Sequence, residues 1–169
     1  MKRVGCAVFL LLVATGCTTH APARPSGQTF VVVRHGEKSN DDPRDPSLNA
    51  AGIARAQALA GLLRGEPLNA AYATRYRRTQ MTATPAARAA GIAVTTYDAD
   101  MPATEFAQQL QNAHRHGTVL VVGHSNTVPR IAAALCTCTV PAMGDDTFNL
   151  MHRIRVAPGT APVLQSVRY

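Results

Sequence analysis

Apolar residues in this chain fall into short runs and helical stripes, separated by polar stretches carrying proline and glycine. A basic start, Met1-Lys2-Arg3, precedes an almost wholly apolar run from Val4 to Val13 and then Ala14-Thr15-Gly16-Cys17. A charged start, an apolar stretch and small residues, in that order, make an export signal over residues 1–17. The run falls short of the about 20 apolar residues that a membrane span needs. Residues 18–28 hold Ala, Pro, Ser, Thr and Gly without apolar periodicity and predict a flexible tether. One folded domain is expected over residues 29–169.

Within that domain, the β-branched run Thr29–Val33 predicts a buried strand. Asn49 is a suitable N-cap for a helix from Ala50 to Leu63, whose core stripe would be Ile53, Ala56, Leu59, Ala60 and Leu63. Ala70–Ala73 predicts a short strand, and Arg77–Ala90 a helix stopped by Gly91 with Pro85 as a kink or restart. Ile92–Thr96 reads as a strand. Ala103–His114 reads as a helix with Phe106 and Leu110 inward and Gly117 as its end. Thr118–Val122 is a second β-branched run, and Val128–Leu135 a short helix. Phe148–Val156 and Val163–Tyr169 are late strands, joined as a hairpin through Ala157-Pro158-Gly159. Strands alternating with helices predict an α/β fold: a doubly wound, mainly parallel sheet with helices on both faces and an antiparallel edge strand.

Charge and cysteine content narrow the functional classes. The formal charge is +7, and loss of Lys2 and Arg3 with the signal leaves +5. That balance suits an anionic partner. With no Lys/Arg-rich run and few aromatics, a nucleic-acid partner is not expected. Cys6 and Cys17 lie in the signal, leaving Cys136 and Cys138 in an exported domain. A Cys-x-Cys pair bridges only in a tight turn, so a disulfide and two free thiols both remain open. No second Cys or His pair stands at ligand spacing, so no metal site is expected.

Candidate chemistry gathers where strands are expected to end. The segments are Arg34-His35-Gly36-Glu37, Thr74-Arg75-Tyr76-Arg77-Arg78-Thr79 and Gly123-His124-Ser125-Asn126. In open α/β sheets, sites form outside the carboxyl ends of strands. Arginine's planar fork matches a tetrahedral dianion, and a neutral histidine can accept a phosphoryl group and pass it to water. Nearby arginines are expected to hold an imidazole neutral at pH 7. A second His-Gly at His116-Gly117 reads as a helix end, with His114, Arg115 and His116 complementing its dipole. Arg75 and Arg77 read as a solvated face, Lys38 as an exposed lysine that can touch substrate, and His152 as structural or surface.

The stretches VVVRHGEK at 31–38, LNAAGIARAQALAGLL at 48–63, ATRYRRTQMTA at 73–83 and VLVVGHSNTVP at 119–129 resemble the histidine phosphatase superfamily, also called phosphoglycerate mutase-like. The resemblance implies His35 as the phosphorylated nucleophile, Arg34 and Arg78 as phosphate clamps, and His124 as the second histidine. It also implies hydrolysis of a phosphomonoester through phosphohistidine, without metal or other cofactor. Arg75 and Met81 stand where the family pattern has proline and glutamine, and the mutase motif that carries a glutamate donor is missing. Glu105 is the first candidate acid and Glu37 the second, Asp98 and Asp100 being the other carboxylates between Arg78 and His124. The signal segment similarly resembles a lipoprotein signal, implying lipidation of Cys17 and anchorage on the periplasmic face of the outer membrane. Simple cleavage, with a periplasmic or secreted product, is the other outcome.

The expected function is therefore an exported histidine phosphatase with an open pocket for small or envelope phosphates. The alternative is a non-catalytic phosphate- or phospholipid-binding envelope lipoprotein on the same fold.

Overall fold

The computed structural model describes residues 27–169. The signal segment, Cys17 and nearly all of the tether lie outside the described residues. In chain order the elements are β1 (Gln28–Arg34), α1 (Ala50–Leu62), β2 (Leu68–Ala73), α2 (Arg77–Ala89), β3 (Val94–Thr96), α3 (Ala103–Ala113), β4 (Gly117–Gly123), α4 (Val128–Cys136), β5 (Leu150–Val156) and β6 (Val163–Arg168). One sheet has the order β3-β2-β4-β1-β5-β6. β1, β2, β3 and β4 run parallel, while β5 and β6 pair antiparallel at the β1 side. The doubly wound sheet and its antiparallel hairpin edge both appear as the residue pattern predicts.

The two central strands are apolar on both faces, and alternation divides their side chains between two layers. Phe30, Val32, Val119 and Val121 pack with Phe106 and Leu110 of α3 and with Ile131 and Leu135 of α4. Val31, Val33, Leu120 and Val122 pack with Leu59 and Leu63 on the α1 side and with Ala83, Ala86 and Ala87 of α2. The result is three layers with the parallel strands sealed at the centre.

Helix ends follow local chemistry. The Asn49 side chain accepts from the Gly52 N–H at 3.0 Å and caps α1. Gly91, at φ +70°, closes α2: its N–H donates to the Arg88 carbonyl, and the Ile92 N–H to the Ala87 carbonyl, as in a Schellman turn. Pro85 sits inside α2 without ending it. Two readings need correction. Ile53 is 47% exposed, because α1 turns Gly52, Ala56 and Leu59 inward instead. Gly117 does not end α3, which stops at His114; at φ +82° it opens β4.

Cys136 and Cys138 form a disulfide across the end of α4, with Thr137 between them in the left-handed conformation at φ 51°. Among the described residues, no helix is long and apolar enough to cross a membrane.

Candidate active site

β1, β2 and β4 are neighbours, and all three end at the same edge of the sheet. Arg34 and His35 leave β1, Thr74 leaves β2, and His124 leaves β4. The His35 N–H donates to the Gly123 carbonyl at 3.0 Å, extending the β1–β4 ladder into the site. A cavity of about 390 Å³ opens there, lined among others by Arg34, His35, Arg78 and His124. The four residues singled out on three separate segments therefore share one cavity.

Each is held by a specific device. The His35 Nδ1 lies 2.7 Å from the Gly36 carbonyl, which can only accept, so Nδ1 carries the proton and Nε2 keeps its lone pair. Gly36 lets the chain pass over α1: a Cβ there would lie 2.8 Å from the Gly52 Cα. Its N–H donates to the Thr82 hydroxyl of α2 at 3.0 Å.

Arg34 is buried, its guanidinium 4.0 Å above the Phe148 ring. One terminal nitrogen donates to the carbonyls of Gly144, Asp145 and Thr147. The segment before β5 thus wraps the guanidinium by its backbone, a role no side-chain pattern announces. Arg78, in the first turn of α2, stacks 4.5 Å from the Tyr76 ring and lies 3.8 Å from Asp45.

The His124 Nε2 lies 3.0 Å from the Thr74 hydroxyl, which is 2.8 Å from the Thr79 hydroxyl, which donates to the Tyr76 carbonyl at 2.7 Å. This line of hydroxyls fixes the ring beside His35, the centroids being 5.4 Å apart and the planes edge-on. Thr74 and Thr79 are fully buried.

Burial sets the electrostatics. His35 is pushed down to about 3, first by desolvation, then by His124, Arg78 and Arg34, against an opposing hydrogen bond to Gly36. His124 is pushed down to about 4, again chiefly by burial, with Arg78 and Arg34 adding to it. The arginines that the sequence places nearby add to this shift, but the larger cause is removal from water. Both imidazoles are neutral at pH 7.

The candidate acids stand apart from the cavity. Glu105 lies exposed on the first turn of α3, its carboxylate accepting from Gln109 at 3.3 Å. Phe106 and Ala107 of that turn face the core, which turns Glu105 outward. The Glu37 carboxylate is engaged by Arg55 through Nε at 3.0 Å and through a terminal nitrogen at 2.5 Å, and that contact holds it below the usual carboxylate range. Neither lines the cavity; Asp100 and Asp145 do, with Lys38 and Asn126. The Asp145 carbonyl is already bound by Arg34. The Asp100 N–H donates to Asp98, a turn that sets Asp100 at the rim. Its place between Arg78 and His124 in sequence was the available signal.

Arg75 and Arg77 are exposed, as expected of a solvated face, with Arg77 paired to Asp41 at 3.3 Å. His114 meets the Tyr72 hydroxyl at 2.9 Å, and His152 is buried on β5 against the Ser166 hydroxyl at 2.8 Å. Both are structural. Among the described residues, no three His, Cys, Asp or Glu side chains are grouped so as to hold a metal ion.

Residues 30–101 match the family model of the histidine phosphatase superfamily (branch 1). No curated protein matches the chain. Among solved structures, the chain is similar to the protein histidine phosphatase SixA complexed with tungstate, with 17% identity, a TM-score of 0.67, and coverage of 83% of this chain and 96% of that one. A phosphoserine phosphatase from Entamoeba histolytica in complex with 3-phosphoglyceric acid gives 15% identity and a TM-score of 0.61, over 84% and 97% of the two chains. A mycobacterial glucosyl-3-phosphoglycerate phosphatase gives 16% and 0.62, over 85% and 98%. The Arg-His-Gly strand end and the second arginine lie inside the matched segment, so residues 30–101 are similar to the histidine phosphatase superfamily, and the chain shares its fold with these phosphatases over 83–85% of its length.

Proposed function

We propose that this protein is a phosphatase that hydrolyses phosphomonoesters through a phosphohistidine on His35. The observation that carries the reading is the state of His35: neutral, with Nδ1–H tied to the Gly36 carbonyl and Nε2 free, in a cavity that also holds Arg34, Arg78 and His124. In the first step Nε2 attacks phosphorus, the ester P–O bond breaks, and the alcohol leaves with a proton. In the second, water attacks the phosphohistidine, the N–P bond breaks, and phosphate departs. Arg34 and Arg78 meet the charge on the non-bridging oxygens. Once a dianion is present beside it, His124 gains a proton more readily and donates to the same oxygens. Of the two carboxylates that line the cavity, Asp100 and Asp145, Asp100 at the rim is assigned to protonate the leaving oxygen and then to activate water.

Hydrolysis of p-nitrophenyl phosphate tests the reading. Turnover, loss of turnover in His35→Ala, an acid-labile phosphate trapped on the parent protein, and insensitivity to EDTA are expected. Phosphate binding without turnover favours the alternative, a phosphate- or phospholipid-binding lipoprotein. The position of Glu37 and Glu105 outside the cavity is the observation on that side.

The proposed address is the periplasmic face of the outer membrane, with a lipid on Cys17. It is supported by the basic start, the apolar run and the small residues before that cysteine. Incorporation of labelled palmitate, lost in Cys17→Ser, tests it. The substrates that fit this address are small or envelope phosphates. Hydrolysis of a phosphorylated envelope glycan, set against soluble nucleotides and sugar phosphates, decides between them.

A further inference from the structure

Beside the phosphate cavity lies a second depression, of about 450 Å³, and the two share Ser125 and Asn126. One wall is α4, through Pro129 and Ala133, and the other is the returning segment, through Val140, Ala142 and Met143. Both walls are anchored at the catalytic end. The α4 wall begins at Val128, whose N–H donates to the His124 carbonyl. The other wall runs from Met143 into Gly144 and Asp145, whose carbonyls bind Arg34. The disulfide between Cys136 and Cys138 closes the turn at the far end of α4, from which that segment comes back. The groove therefore adjoins the phosphate site along α4. Its lining is mainly aliphatic, with Arg130 the charged residue that contributes to it and no carboxylate.

We infer that this groove is a subsite for the apolar part of a phosphomonoester whose phosphoryl group lies against Arg34, Arg78 and His124. The ligand class is the phosphate of an aliphatic alcohol, and calling it a substrate rests on the phosphatase reading above. A polar sugar or nucleoside finds few hydrogen-bonding partners among Pro129, Ala133, Val140, Ala142 and Met143, while an alkyl chain leaves water there. The shared residues Ser125 and Asn126 provide the polar junction where the ester oxygen would pass.

The test is a binding series of n-alkylphosphonates, ethyl to octyl, measured by calorimetry on the full chain below micellar concentrations. Their P–C bond resists hydrolysis, so binding is read apart from turnover. Affinity is expected to rise about twofold per methylene until the groove is filled, since the groove shields the chain on one side. Octylphosphonate should then bind at least about tenfold tighter than ethylphosphonate. Met143→Glu, and independently Ala142→Glu at an exposed position, should bring that ratio close to one. Leu62→Glu, on the outer face of α1, should leave it unchanged. A ratio of one in the parent protein, or one that survives both groove variants, overturns the subsite whether or not p-nitrophenyl phosphate is hydrolysed. A full chain-length gain without any hydrolysis overturns the phosphatase reading instead and leaves a binding site for alkyl phosphates.

Discussion

Replacing Thr74 by valine removes one hydroxyl and leaves the shape of the side chain nearly intact. That hydroxyl is fully buried and links His124 Nε2 at 3.0 Å to the Thr79 hydroxyl at 2.8 Å. Thr79 retains the Tyr76 carbonyl as acceptor, but the His124 nitrogen loses its protein partner. Two hydrogen bonds at about 1 kcal/mol each, with part of the penalty for a polar nitrogen left unpaired, predict a loss of roughly 2–4 kcal/mol. No cavity term is added, because valine fills the space. For a domain of this size that lowers Tm by roughly 5–15 °C. The ring beside His35 is then free to turn, and misplacing a group that meets the transition state costs up to about 100-fold in kcat/KM. Urea denaturation and p-nitrophenyl phosphate kinetics measure the two effects, with Thr74→Ser restoring both. A valine variant with unchanged denaturation midpoint and unchanged kcat/KM would show that the hydroxyl line does not hold His124.

Because His35 is pushed down to about 3 and His124 to about 4, kcat/KM should show no enzyme break near pH 6.5 once the substrate's own ionisation, near pH 6, is divided out. The same shifts act on stability. The unfolded chain protonates these histidines below about 6.5 while the native one does not, so stability falls as pH drops toward 4, by on the order of 3 kcal/mol for His35 alone; a flat urea midpoint from pH 7 to 4 would contradict this. Gly36→Ala drives a Cβ to 2.8 Å from the Gly52 Cα and 2.9 Å from its carbonyl oxygen, predicting about 1–3 kcal/mol of destabilisation in thermal melts and a displaced His35 with reduced kcat. Asp100→Asn should slow alkyl phosphates about 100-fold while sparing p-nitrophenyl phosphate, whose leaving group hardly needs a proton; equal loss on both substrates would remove Asp100 from the acid's role. Arg78→Ala should lower kcat/KM by about 10²–10³-fold in the same assay.

The parts of this fold that were legible in the sequence are those where one local rule decides the outcome. Val31–Val33 and Val119–Val122 are apolar on both faces, which only central parallel strands tolerate, and they became β1 and β4. Asn49 and Gly91 stopped or started helices by their own hydrogen bonding and φ. Ile53 misled because a helix stripe read from apolar residues alone overlooks glycine: α1 approaches Gly36 so closely that Gly52, not Ile53, must face inward. The wrap around Arg34 was illegible because it uses the carbonyls of Gly144, Asp145 and Thr147, and every residue has one. Glu105 has the side-chain type and the interval in the chain that an acid needs, but its orientation on α3 depends on Phe106 and Ala107 reaching the core. The Thr74–Thr79 pair lay in view, five residues apart, but its meaning required knowing that β2 and β4 are neighbours.

That burial outweighs the arginines in setting the state of His35 changes how arginine variants are interpreted. If guanidinium charge kept the imidazole neutral, removing Arg78 would both weaken phosphate binding and raise the protonated share of the nucleophile. The two losses would then be inseparable at neutral pH. Desolvation is the first cause at His35 and Arg78 only a later one, so the imidazole stays neutral at pH 7 in such a variant. The activity lost in Arg78→Ala then measures the guanidinium's contact with the transferring phosphoryl group, with no contribution from a changed nucleophile. The backbone clamp on Arg34 extends the logic. Carbonyls, not a carboxylate, accept from that guanidinium, and Phe148 supports its face at the wall of the cavity. The chain thus separates two tasks that a cluster of charges would mix: the core strands keep the nucleophile neutral by excluding water, and the arginines are left to meet the phosphate.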